Sequence, residues 1–204
     1  KDEKVQVVFN LVPVFLEATI RQYHFMIEGL KEVEEELNTL NIPFQITLGS
    51  PEETIPKYIN DNKIGKLICD FSPLKIHKFW QENVNKKIQI PFERVDAHNI
   101  VPCPIASNKQ EFAAYTIRPK IQKLLTYYLE KYPTIDKQTQ TSAPQNNKKI
   151  NWDNLYKTLK IDTTIKPIKQ LIPGKNAAQK QLKKFIEQKL PTYHQRNNPN
   201  IDTT

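Results

Sequence analysis

Asp96, His98 and Asn99 lie within the run VDAHNIVP at 95–102, directly behind an apolar stretch. If that stretch is a strand, a carboxylate, an imidazole and a carboxamide stand together at its carboxyl end, where they can hydrogen-bond a ligand. A polar turn, with Asp or Asn side chains capping the backbone, accounts for the same residue types. The other reactive groups carry less. His24, His77, His98 and His194 are scattered, and none forms an i, i+4 pair with a second ligand. Cys69 and Cys103 have no second Cys or His at metal-ligand spacing, so they read as reduced thiols and not as a zinc site. With 4 glycines in the whole chain there is neither a GxGxxG nor a P-loop, which excludes a glycine-rich phosphate cradle.

These residues need a frame, and the apolar pattern supplies one. Runs at 5–10, 44–48, 66–70 and 88–96 have strand length and β-branched or aromatic content. Between the first two, Tyr23, Met26, Ile27, Leu30, Val33, Leu37 and Leu40 recur at helical steps over 18–40. The run Glu34–Glu35–Glu36 falls largely on the opposite face and reads as solvated surface. GSPEE at 49–53 predicts a helix start with Ser50 as N-cap, Pro51 in the first turn and Glu53 completing a capping box. FSPL at 71–74 repeats the device with Ser72 and Pro73. Strand, capped turn and helix in repetition predict an α/β fold, a Rossmann-like parallel sheet with helices on both faces. Ligands of such sheets dock beyond the strand ends, here Asn10–Leu11, Gly49–Ser50, Asp70–Phe71–Ser72 and Asp96 through His98 and Asn99.

A further helix is expected over about 109–132, bent near Pro119 because proline cannot donate the backbone bond. Residues 133–150 are polar and nearly devoid of large apolar groups, which predicts a linker. A short helix near Trp152–Leu159 and a last one near 175–190 follow. The chain therefore divides into an α/β domain at 1–132, a linker at 133–172 and the start of a helical domain at 173–204. Charge follows that division. Residues 1–133 hold 17 Lys+Arg and 17 Asp+Glu, whereas 134–204 hold 13 and 5, so the net charge of +8 resides entirely in the last third. A basic segment suits a polyanion, nucleic acid first among them, and a solvated Lys-rich connector explains it equally well. No apolar run is long enough to span a membrane, so no membrane partner is expected. The opening KDEK carries no signal peptide and suggests a start inside a longer protein, cytoplasmic or nuclear in location.

In order along the chain, several segments resemble class II cyclobutane pyrimidine dimer photolyases. They are VVFNL at 7–11, RQYHFMIEGLKEVEEEL at 21–37, GSPEETIP at 49–56, DFSPL at 70–74, VDAHNIVP at 95–102, ASNKQEFAAYTIRPKIQKLL at 106–125, PGKNAAQKQLKKFIEQKLPTY at 173–193 and RNNP at 196–199. The resemblance implies an enzyme, a carbon–carbon lyase that uses light and reduced FAD to split pyrimidine dimers in UV-damaged DNA. It implies a monomer, an additional central strand ahead of Lys1 and a flavin-enclosing helical domain beyond Thr204. The fragment by itself would then be inactive, with no catalytic residue of its own. It further implies an antenna chromophore, a deazaflavin or a folate, in the crevice at Gly49, Ser50, Asp70, Phe71, Ser72, Asp96, His98 and Asn99. Tyr193 resembles a flavin-approaching tyrosine and Arg196 a DNA-facing arginine. Two residues separate them here where the family usually has three, and Pro104 and Tyr115 depart from a common tryptophan and arginine. A cryptochrome-like photoreceptor and a stand-alone α/β nucleotide-binding module are the alternative readings.

Overall fold

The computed structural model describes residues 4–139 and 149–195. Strand β1 (Val7–Leu11) pairs in parallel with β2 (Phe44–Leu48), Val7 opposite Phe44 and Leu11 opposite Leu48. Strand β3 (Leu67–Asp70) pairs in parallel with β4 (Phe92–Val95), Leu67 opposite Phe92 and Asp70 opposite Val95. Helices α1 (Ile20–Thr39) and α3 (Lys75–Lys87) make the crossover within each pair, and α2 (Pro51–Asn62) carries the chain from one pair to the other. The expected α/β architecture is thus present, with all four strands in place and parallel. Among the described residues they form two two-stranded sheets and not one continuous sheet.

Local chemistry explains the helix starts, and in two places it differs from expectation. Helix α1 opens on a capping box: the Thr19 side chain accepts backbone N–H bonds, while Gln22 Oε1 accepts from Thr19 N at 2.9 Å. Its inner face buries Tyr23 and Ile27, and the Tyr23 hydroxyl donates to the Val12 carbonyl at 2.8 Å, tying the helix to the exit of β1. At α2, Ser50 is the N-cap but its side chain makes no capping bond. Its carbonyl instead accepts from Glu53 N and Thr54 N, both at 3.0 Å, so the capping box expected at Glu53 is not formed. Helix α3 starts at Lys75, later than Pro73, because the Ser72 hydroxyl is engaged with Leu74 N and with His77 Nδ1 at 2.7 Å.

A small core of Ile59, Val84 and Ile88, with Ile55, Ile64, Leu67, Ile90 and Phe92 around it, joins α2 and α3 to the second strand pair. Leu11, Tyr23, Ile27, Ile42 and Phe44 are the buried residues of the first pair and α1.

Beyond β4, a short helix α4 (Cys103–Ala106) precedes α5 (Ala114–Tyr128), which starts later than 109 and runs through Pro119 without ending there. Lys120 Nζ donates to Glu111 and to Ser107 Oγ, fastening the α4–α5 loop to α5. The expected linker begins attached to the α/β unit: Gln138 bonds Val5 through both its side-chain oxygen and nitrogen, and its backbone N–H donates to the Leu40 carbonyl at 2.9 Å. Helices α6 (Trp152–Thr158) and α7 (Lys175–Lys184) follow. The last expected helix does not run regularly to 190. It passes into a π-helical turn at Phe185–Lys189 and then a 3₁₀ stretch at Leu190–Gln195. No helix among the described residues is long and apolar enough to cross a membrane.

Candidate functional site

The carboxyl end of the first strand pair is organised by Asn10, the penultimate residue of β1. Its side-chain nitrogen donates to the Gly49 carbonyl at 2.9 Å, and its oxygen accepts from the hydroxyls of Thr47 and Thr54. Gly49, at φ +133, supplies the turn from β2 into α2, and Gly49 N donates to the Leu11 carbonyl. A side chain at Gly49 would be strained by that φ and would press on the Thr54 methyl at 3.2 Å. The turn therefore brings Gly49 and Ser50 beside the end of β1, as the spacing predicts. Asn10 is the residue that locks it.

At the second pair, Phe71 N donates to the Val95 carbonyl at 2.8 Å and Gln81 Nε2 to the Asp70 carbonyl at 2.9 Å. Asp96 closes its own loop. Its carboxylate accepts from Cys103 N at 2.8 Å, from His98 N and Asn99 N at 3.2 Å, and from Asn99 Nδ2. These donors, the Cys103 amide foremost, hold the Asp96 carboxyl down at about 2. Asp96, His98 and Asn99 are thus brought together as expected. The donors they present to one another are those of a closed Asx-type turn, the second of the two readings open at the sequence level.

The cavity nearest these exits lies elsewhere. It measures about 210 Å³ and is bounded by Val8 and Asn10 of β1, Leu67, Ile68 and Cys69 of β3, and His77, Trp80 and Gln81 of α3, with others from α2 and β4. Of the strand-end residues expected at the ligand edge, Asn10 lines it, whereas Gly49, Ser50, Asp70, Phe71, Ser72, Asp96, His98 and Asn99 do not. At its margin, Phe15 from the β1–α1 loop meets the His77 and Trp80 rings at 5.9 and 6.0 Å, and those two rings stack on each other at 5.5 Å. His77 and Trp80 sit three apart on α3, a spacing visible in the sequence that places both on one side of the helix.

What this arrangement can do chemically is bind and position. The Cys69 thiol is pushed up to about 11, by burial first and then by Asp70 beside it, so it is not a nucleophile at neutral pH. His77 and Asp96 are engaged by the protein itself. No cluster able to hold a metal ion occurs among the described residues. Farther along, Tyr193 is 52% exposed and meets the Phe185 ring edge-on at 6.0 Å, whereas Arg196 lies outside the described residues.

Three comparisons bear on what such a platform belongs to. The profile of the DNA photolyase family matches residues 1–140. A deoxyribodipyrimidine photo-lyase of Potorous tridactylus is 41% identical over 201 residues, 97% of this chain and 38% of the relative. One from Arabidopsis thaliana is 36% identical over 204 residues, 96% of this chain and 41% of the relative. The chain therefore spans about two fifths of the length of these relatives. Among solved structures, an archaeal photolyase from Sulfolobus tokodaii with two FAD molecules superposes at a TM-score of 0.55 and 19% identity, covering 80% of this chain and 37% of that one. That likeness speaks for the fold alone.

Proposed function

Because the chain belongs to the DNA photolyase family, we propose that it is the α/β portion, with the entry to the helical portion, of a light-driven DNA repair lyase. The observation that carries this reading is the 41% identity to a deoxyribodipyrimidine photo-lyase sustained over 97% of the chain. The reaction we assign to the whole protein is the splitting of cyclobutane pyrimidine dimers in UV-damaged DNA. FAD, when bound in reduced form, supplies the electron that opens the ring.

The described residues test how much of that chemistry this chain holds. Two cavities among the described residues measure about 240 and 210 Å³, the first along α7 and its π-helical continuation and the second between the two strand pairs. The polar groups beside the cavity between the strand pairs are already bonded to protein: Asn10 to Gly49, His77 to Ser72 and Gln81 to Asp70. No catalytic step is assigned to these residues. Their part is to position. Gly49, Ser50, Asp70, Phe71, Ser72, Asp96, His98 and Asn99 form the rim over which an antenna pigment would lie, with the Phe15–His77–Trp80 rings as an apolar flank. Tyr193 is our candidate for a flavin contact and Arg196 for a DNA contact. The domain division at 132 and 173 separates a charge-balanced platform from a basic segment suited to the phosphate backbone.

The test is repair by the full-length protein. Reduced, FAD-loaded protein mixed with an oligonucleotide carrying a thymine dimer should restore the two thymines under blue light and not in the dark. Bound reduced flavin without loss of dimer would favour the photoreceptor reading instead.

A further inference from the structure

We infer that the outer face of α1 is a seat for the C-terminal third of the chain, on which four glutamates fix the course of the connector and the direction in which α7 leaves the α/β unit. Within the acid run on α1, Glu35 and Glu36 are exposed as its polarity suggests, but Glu34 and Glu36 are engaged by the last third of the chain. Glu34 Oε2 accepts from Trp152 Nε1 at 2.9 Å, and Glu28 Oε1 accepts from the Tyr156 hydroxyl at 2.9 Å. Tyr156 also meets His24 Nδ1 at 3.1 Å. Trp152 and Tyr156 are one turn apart on α6, and their partners step backward along α1. Helix α6 therefore lies antiparallel on α1. The contact continues to the start of α1, where Ile20 N donates to the Asp162 carbonyl at 2.9 Å and Arg21 Nε to the Lys166 carbonyl at 3.1 Å.

The chain then returns to the middle of α1. Gly174, the residue before α7, has no side chain with which to cap the helix. Glu32 of α1 serves instead: its Oε2 accepts from Asn176 N at 3.1 Å and Asn176 Nδ2 at 3.3 Å, placing a carboxylate at the positive end of α7. Glu36, one turn on, pairs with Lys175. Two glycines permit the approach. Gly29 faces the Gly174 backbone, and a methyl at Gly174 would overlap the Glu32 carboxyl group. Glu28, Glu32 and Glu36 repeat at i, i+4 and i+8, so one stripe of one helix holds both α6 and α7. Nothing in this arrangement depends on flavin, light or DNA, so it stands or falls separately from the function proposed above.

Hydrogen exchange on the full-length protein tests it. Glu32→Ala should speed exchange of the amides at 175–178 roughly tenfold, since one capped helix start loses its acceptor. Amides of β1 and β2 should keep their protection. Glu32→Gln, which retains an acceptor oxygen, should restore most of the protection, and Gly174→Ala, whose methyl would displace the Glu32 carboxyl group, should open the same amides with the glutamate still in the chain. Unchanged exchange at 175–178 in Glu32→Ala would overturn the inference. So would acceleration spread equally through β1 and β2, because the glutamate would then be a general stability residue and not a local latch.

Discussion

Asp96 shows how a side chain with catalytic credentials becomes structural. A carboxylate at a strand end, two residues from a histidine, is what a proton-transfer site looks like in one dimension. In three dimensions its lone pairs are taken up by the amides of His98, Asn99 and Cys103. A capped polar turn was one of the two readings the residues allowed, but its decisive partner was not legible, because Cys103 is seven residues away and reaches Asp96 only once α4 turns back. Two predictions follow at this scale. The Asp96 carboxyl falls from its ordinary 3.8 to about 2, so its contribution is present above about pH 4 and is lost as pH falls through 2. Amide chemical shifts of Asn99 and Cys103 should therefore titrate together with a midpoint near 2; a midpoint near 4 would mean an open loop. The second concerns the exposed Cys103, whose thiol is raised by partial burial and then by Asp96. Asp96→Asn should accelerate alkylation of Cys103 by iodoacetamide at pH 8 several-fold, with Cys69 as the slow internal reference.

Elements were far more legible than their ends. The four strands emerged from β-branched runs bounded by Pro, Gly and Asn, and α1 from apolar residues at three- and four-residue steps, because burial against one face enforces those periods. The position of the α2 cap was legible but its bonding was not, and the α3 cap lies two residues beyond Ser72. Ser50 and Ser72 precede prolines and look like side-chain caps, yet backbone geometry gives the first role to a carbonyl and the second hydroxyl to His77. The capping box that does form, Thr19–Gln22, carries the required spacing in the sequence itself. Thr19→Ala should cost about 1 kcal/mol of stability in denaturant unfolding. Ser50→Ala, whose side chain makes no capping bond, should cost only a few tenths by the same measure. At Gly49, alanine should cost about 1–2 kcal/mol, since the backbone is held at φ +133 and the Asn10 lock depends on that turn.

At the scale of the molecule, composition spoke clearly about charge and the alternating elements about topology, but neither conveyed how open the sheet is. Parallel strands are normally covered on both faces and paired on both edges, yet Ile68 in β3 is 58% exposed, and β1 and β3 share the wall of one cavity. Residues 1–204 expressed alone should consequently melt broadly and bind a hydrophobic dye; a sharp, cooperative transition at high temperature would show that the two strand pairs need nothing between them. The proposed role, the platform of a light-driven repair lyase, rests on the family membership, and the two parallel strand pairs and the basic last third are compatible with it. The most direct measurement of that claim is survival of a photolyase-deficient bacterium after ultraviolet exposure, carrying the full-length gene, with and without blue light. Survival should rise in the light and not in the dark. Equal survival in both, from cells shown to contain the flavin-loaded protein, would contradict it.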